Sequence, residues 1–300
     1  STLHLMEFTA SDETTIDGGA AGVELVIGGE WPGDDDVDLS AATLINVTKV
    51  ILDDDAELSL TMAQADAIGA ANFVLADDAD NATLNLYGLN GEPFAIANYA
   101  DGIEIGVLTI AGEAGDIITL HPDTNLTGVA GLRVPEGVTL NLTAAQFQQL
   151  GGWAFPGPEG WGSIRGIDDT TDFTVNITGL TQADVDNDLT GDGDSDDQWE
   201  NLNLSQITAD KLTISLAEDV KLEEDDDLGN AEVIIGDGMT LTLADIQQAD
   251  GRVIGGGTNT TLKFMDLYAG AFESIDASGF NVDTLMILNV LVAQRNVDLM

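Results

Sequence analysis

The chain has 300 residues, of which 54 are Asp or Glu and 8 are Lys or Arg, for a formal charge of -46. That balance excludes nucleic acid and anionic lipid as partners, since both are bound by cations that displace counter-ions from phosphates. The absence of cysteine excludes disulfides and thiolate metal sites, and no run of about eighteen apolar residues is present to span a bilayer.

Runs such as Asp34-Asp35-Asp36, Asp53-Asp54-Asp55, Asp77-Asp78 and Asp225-Asp226-Asp227 fall between short apolar segments. So much like charge strains a compact fold unless counter-ions collect on it, which points to millimolar extracellular calcium or very high salt. Apolar residues make up 44%, enough for a folded core, while aromatics are only 5% and glycines number 34. Few rings and many Val, Leu, Thr and Gly suit narrow, stacked β structure better than a wide globular core. The chain begins at Ser1 without a basic-then-apolar leader, which fits a processed or trimmed form, or an export signal placed elsewhere.

In chain order, residues 28–40 (GGEWPGDDDVDLS) form a Gly- and Asp-rich turn region followed by the strand-like NVTKVIL. Residues 50–69 (VILDDDAELSLTMAQADAIG) then give an apolar strand, an acidic turn, an L-x-L strand, a short helix and a closing glycine. Thr61 and Gln64 predict a capping box at the helix start, with Gly69 as a left-handed residue at its end. Alternating strands follow at 82–86, 106–110 and 117–120. Residues 132–151 (LRVPEGVTLNLTAAQFQQLG) repeat the whole motif, with Thr143, Gln146 and Gly151 in the same places.

Residues 151–166 (GGWAFPGPEGWGSIRG) read as a loop packed by its own aromatics or as an insertion, and set a division near residue 165. Strands are expected again at 173–177 and 211–216. A third copy of the motif spans 232–251 (EVIIGDGMTLTLADIQQADG), with Ala244 in the threonine place and so a weaker cap. The L-x-L leucines are Leu58, Leu140 and Leu241, 82 and then 101 residues apart, which is several coils rather than one. After a strand at 260–264 the chain turns apolar. Residues 282–292 read as a last coil or an open edge strand without a polar cap, which favours end-to-end assembly.

These elements predict an all-β fold with short helices, namely a parallel β-solenoid, with an antiparallel β-sandwich as the alternative. The helix between strands favours the solenoid, because hairpin-linked sheets rarely need one. Two solenoid halves are expected, 1–165 and 166–300, or one continuous domain.

The clearest candidate for chemistry is DVDNDLTGDGDSDDQWE, residues 184–200. Asp188, Thr190, Asp192, Asp194 and Asp196 stand at positions 1, 3, 5, 7 and 9 of a loop with Gly193 at 6. That spacing wraps oxygens around a hard cation and predicts a Ca²⁺ site. The twelfth position is Trp199, and Glu200 follows one place late as the candidate carboxylate there. The alternative is a solvated acidic loop. Seven Asn-x-Ser/Thr triplets, at Asn46, Asn81, Asn125, Asn141, Asn176, Asn203 and Asn259, are glycan acceptors or the by-product of strands with one polar face.

Residues 28–40 running into N-V-x-x-V look like the edge of a calcium-binding β-roll. Residues 255–262 (GGGTNTTL) are similar to a decayed G-G-x-G-x-D-x-L, with Thr258 replacing a Gly and Thr260 replacing the ligand Asp. With the L-x-L-T-x-x-Q motif, the chain resembles the non-catalytic β-rich regions of bacterial secreted RTX-like adhesins and S-layer-type surface proteins. The resemblance implies an extracellular, calcium-stabilised, structural or adhesive protein that forms homo-oligomers or polymers, with Asp34 and Asp36 as further calcium ligands.

Enzymatic signals are poor: His4 and His121 are the two histidines, and no H-E-x-x-H, G-x-S-x-G or P-loop occurs. Acid pairs are so common that none marks a glycosidase dyad. A second reading is a carbohydrate-binding or carbohydrate-active β-helix using Trp153 and Trp161.

Overall fold

The computed structural model describes residues 1–28, 36–77, 79–95, 98–150, 163–185, 202–223, 226–244, 249, 252–265 and 276–288. The chain forms two compact units, one of Ser1–Val138 with Gln149–Thr170 and one of Thr139–Gln148 with Thr171–Met300. Every strand pairing among the described residues is parallel. Each unit is therefore a parallel β-solenoid, and the antiparallel sandwich is overturned.

The first unit opens with β1 (Thr2–Leu5), β2 (Phe8–Thr9) and β3 (Thr15–Asp17), then β4 (Val23–Ile27), β5 (Asp36–Asp38) and β6 (Thr43–Ile45). It continues with β7 (Val47–Leu52), β8 (Ala56–Thr61), the helix α1 (Met62–Ile68), β9 (Phe73–Leu75), β10 (Ala82–Leu89), β11 (Ile103–Ile110), β12 (Ile117–Thr119) and β13 (Gly131–Val134). The next elements, β14 (Thr139–Thr143) and α2 (Ala144–Gln148), belong to the second unit, and β15 (Ser163–Gly166) returns to the first. One sheet of the first unit has the order β1-β4-β7-β9 and a longer one the order β2-β5-β8-β10-β11-β13-β15.

The second unit adds β16 (Thr174–Leu180), α3 (Gln182–Val185), β17 (Lys211–Leu216), β18 (Val220–Leu222), β19 (Glu232–Ile235), β20 (Thr240–Leu243), β21 (Ile254–Gly256), β22 (Thr261–Phe264), β23 (Phe280–Asn281) and β24 (Thr284–Ile287). Its strands stack as β14-β16-β17-β19-β21-β23 and as β18-β20-β22-β24. Residues 284–287 are thus a paired strand of the last coil described.

Period-two alternation supplies the core. Leu60, Leu86, Leu108, Leu132 and Ile164 lie opposite one another on five successive strands, all fully buried. In the second unit Leu142, Ile177, Ile214, Val233 and Ile254 form the equivalent column. Each side chain removes its apolar surface from water by stacking on the coils before and after it, which gives roughly 1.5–3 kcal/mol per residue.

Both expected capping boxes are present. The Gln64 N–H donates to Thr61 Oγ1 (3.1 Å) and the Thr61 N–H to Gln64 Oε1 (2.7 Å); Gln146 and Thr143 do the same at 3.1 and 3.0 Å. Gly69 closes α1 at φ 85°, ψ 129°, an extended backbone of positive φ rather than the expected left-handed helical one, and still a conformation that favours glycine. The helix expected in the third copy falls on 245–248, outside the described residues.

The copies do not repeat sheet by sheet. In the first, the L-x-L strand β8 joins the long sheet of the first unit. In the second, the preceding strand β13 does so, while the L-x-L strand β14 belongs to a different sheet, with β16 and β17 of the second unit. Strand–corner–strand is thus a local unit that any side of a coil accepts. Gly255 has a separate reason: a Cβ there would lie 1.9 Å from the Asn281 carbonyl oxygen, and one at Gly257 would lie 2.7 Å from the Gly236 backbone, so these two glycines fit a close backbone approach.

Candidate cation-binding corners

Asp188, Thr190, Asp192, Asp194, Asp196, Glu200 and Asp34 lie outside the described residues, as do Trp153 and Trp161. Asp36 is described. It is exposed at the start of β5 and stands opposite Glu57 on β8.

The acidic turn of the first motif copy forms a corner between β7 and β8. Asp55 holds a left-handed backbone (φ 59°), which Asp tolerates better than most residues. The Asp80 N–H of the following coil donates to Asp54 Oδ1 (2.9 Å), and the Asp55 N–H donates to the Asn81 carbonyl (3.1 Å). Asp53, Asp54, Asp55, Asp77, Asp80 and Asp101 therefore crowd the corners of three consecutive coils, and all but the half-buried Asp53 are exposed. Among the described residues the ion pair made by a lysine or arginine is Lys221–Glu223, so no such side chain offsets this ridge.

Beside it, on the outer face of the long sheet, Asp36, Glu57, Thr83 and Glu104 occupy one cross-strand row. Burial is the main cause that pushes the Glu57 carboxyl above its ordinary value; Asp36 adds to the rise, and the Asn85 side-chain amide, which donates to Glu57 Oε1, opposes it. Burial likewise raises Glu104. Like charges directly opposite each other in a ladder destabilise it, so this face also favours a cation or a proton.

Corners of the second unit use their acids differently. Asp219 Oδ1 accepts from the Thr240 N–H (2.7 Å), Asp237 Oδ1 from the Thr258 N–H and hydroxyl (2.7 and 3.0 Å), and Asp283 Oδ2 from the Thr260 N–H (3.0 Å). The backbone and side-chain bonds from Thr258 lower the Asp237 carboxyl below the usual aspartate range.

Two recurrent devices escaped the sequence reading. One is a corner of the form Asp/Asn-Leu-Ser/Thr/Gly: the side-chain oxygens of Asp38, Asn125, Asn203 and Asp227 accept from the N–H two residues on. Leu39, Leu126, Leu204 and Leu228, the middle residues, are fully buried. This is an Asx turn with an apolar anchor, and its signal stood in the repeated D/N-L-S/T/G triplets. Asn141 and Asn176 instead form a strand-face ladder, in which Asn176 Nδ2 donates to Asn141 Oδ1 (2.8 Å) and Thr213 Oγ1 to Asn176 Oδ1 (2.6 Å).

The second device is Gln64. Besides capping α1, its Nε2 donates to the Leu39 and Ala42 carbonyls (2.8 and 2.7 Å) at the corner of the preceding coil. A glutamate would cap equally well but has no protons to give those carbonyls.

Among the described residues, no three His, Asp or Glu side chains converge in the geometry of a metal site. An ion at the ridge would therefore take most of its shell from carbonyls and water. No helix among the described residues is long and apolar enough to cross a membrane. Set against known proteins, the chain matches no family model, no curated protein and no solved structure.

Proposed function

We propose that the chain is a calcium-stabilised structural or adhesive module of an extracellular surface, of the RTX-like adhesin or S-layer kind, assembling with further copies of itself into a layer, filament or stalk. The observation that supports this reading is the acidic ridge of the first unit, where Asp53, Asp54, Asp55, Asp77, Asp80 and Asp101 fall on consecutive corners and, among the described residues, no lysine or arginine pairs with them. A divalent ion there cancels repulsion that protein groups leave uncancelled. The loop holding Asp188, Asp192, Asp194 and Asp196 is the second place expected to take one. Binding to the folded coil alone couples stability to free calcium.

The test is a thermal melt at fixed ionic strength with 2 mM CaCl₂, MgCl₂ or chelator, a concentration on the scale of extracellular calcium sites. Chelation lowers Tm by about 5–10 °C if the ion stands near a hundredfold over its Kd. An unchanged melt removes calcium from the account, and equal rescue by added KCl assigns the effect to general screening. Negative-stain images with and without calcium read assembly directly: single particles under both conditions overturn the polymer.

A further inference from the structure

The outer face of the long sheet of the first unit carries a second cross-strand row, Thr61, Tyr87, Thr109, Arg133 and Arg165. Leu132 and Ile164 point inward, so Arg133 and Arg165 point outward, on neighbouring strands in direct register. Parallel strands hold such neighbours about 4.8 Å apart. Thr109 is buried between its neighbours in the row, and Tyr87 remains 36% exposed. Half of the four arginines in the chain are in this one row.

Two guanidiniums side by side repel, and a ladder with like charges opposite each other is weakened by them. Fifty-four acids are available in this chain, yet among the described residues neither arginine forms an ion pair. Arg165 Nε is also removed from water without an acceptor, a costly state for a donor. Arg252 in the second unit has a buried Nε too, but lies in the field of Asp227. The row at Arg133 and Arg165 thus lacks one thing, a planar oxyanion to take hydrogen bonds from both forks.

We propose that the Tyr87–Thr109–Arg133–Arg165 row binds a carboxylate-bearing sugar within a glycan chain, the arginine pair holding the carboxylate and Tyr87 packing on a neighbouring neutral ring. A linear ligand suits a row with one side chain per strand, and tyrosine offers flat apolar area with a polar tip. A densely charged polyanion is repelled by a protein of charge -46, and so is a second copy of the chain; sparse carboxylates on a neutral polymer are not. This site does not rest on the calcium reading.

The experiment titrates the full chain in calcium, by calorimetry, with a partly methyl-esterified galacturonate hexamer, its fully esterified form, and acetate. The free-carboxylate hexamer binds about tenfold or more tightly than the ester, as charge-assisted bonds require. Arg133→Gln and Arg165→Gln abolish that preference without lowering Tm, Arg165→Lys keeps part of it, and Tyr87→Ala weakens both hexamers alike. Equal affinity for the two hexamers, no binding of either, or acetate binding as tightly as the hexamer overturns the proposal. So does a dimer in sedimentation that Arg165→Gln dissolves, since the pair then serves a second copy. If the glutamine variants fail to fold, a weakened or lost preference in Arg133→Lys with Tm unchanged still supports it, and retention of the full preference there overturns it.

Discussion

The two units place acids at their corners in opposite ways. In the first, Asp54 accepts from the N–H of another aspartate, Asp80, and Asp36 stands opposite Glu57, so acid stacks on acid. In the second, Asp219, Asp237 and Asp283 each meet a threonine one coil away and spend their lone pairs on its N–H. Similar aspartate content therefore has different electrostatic consequences. What decides is the residue that the stacking brings opposite, an acid in the first unit and a threonine in the second.

The sharpest way to break this contrast is Gln64→Glu. The second unit has a carboxylate in the matching place, because Asp184 Oδ2 only has to accept from the Thr181 N–H and hydroxyl. Gln64 must also donate twice, so its replacement by Glu leaves two carbonyls facing a charge. A loss of about 2–4 kcal/mol is expected in chemical denaturation, while Asp184→Asn costs far less. Equal costs for the two changes would remove the distinction.

A smaller effect of opposite sign comes from Glu57→Gln. It keeps a side-chain oxygen for Asn85 and removes the repulsion from Asp36, so at pH 7 Tm rises by about 1–3 °C. Added calcium should shrink that gain, since ion and substitution relieve the same repulsion.

Smallest is the pH response, which differs in sign between the units. Glu57 titrates above its ordinary 4.5 in the folded chain, so its contribution is fully present below 4.5 and is lost as pH rises through the folded value. Asp237 titrates below its ordinary 3.8, so its contribution is present above 3.8 and is lost as pH falls through the folded value. Acidification from neutral should first raise the amide protection factors around Leu58 and Asn85, and only below 3.8 lower the one at Thr258. Thr258→Val should bring Asp237 back towards 3.8, read by carboxyl NMR titration.

The parallel solenoid was legible because the T-x-x-Q boxes at Thr61 and Thr143 placed a helix between strands, which a hairpin sheet does not need. Strand positions followed from alternation, as at 211–216, where β17 spans the expected residues. The sheet each motif copy joins was not legible: Leu58 and Leu140 look alike locally, but their neighbours are set by coil length. In the second unit one coil step is 21 residues from Asp237 to Thr258 and another 37 from Asn176 to Thr213. The Arg133–Arg165 row was hidden for the same reason, since those residues become neighbours only through stacking. The corner acids were visible as runs of Asp, but whether a carboxylate or a threonine faces them was not.

That uneven coil length has a practical consequence. Steps of 21 and 37 residues both end in parallel register with the strand before, so added length between strands leaves the rungs in place. Foreign peptides of a dozen residues or so, grafted between β16 and β17, should leave the scaffold undisturbed.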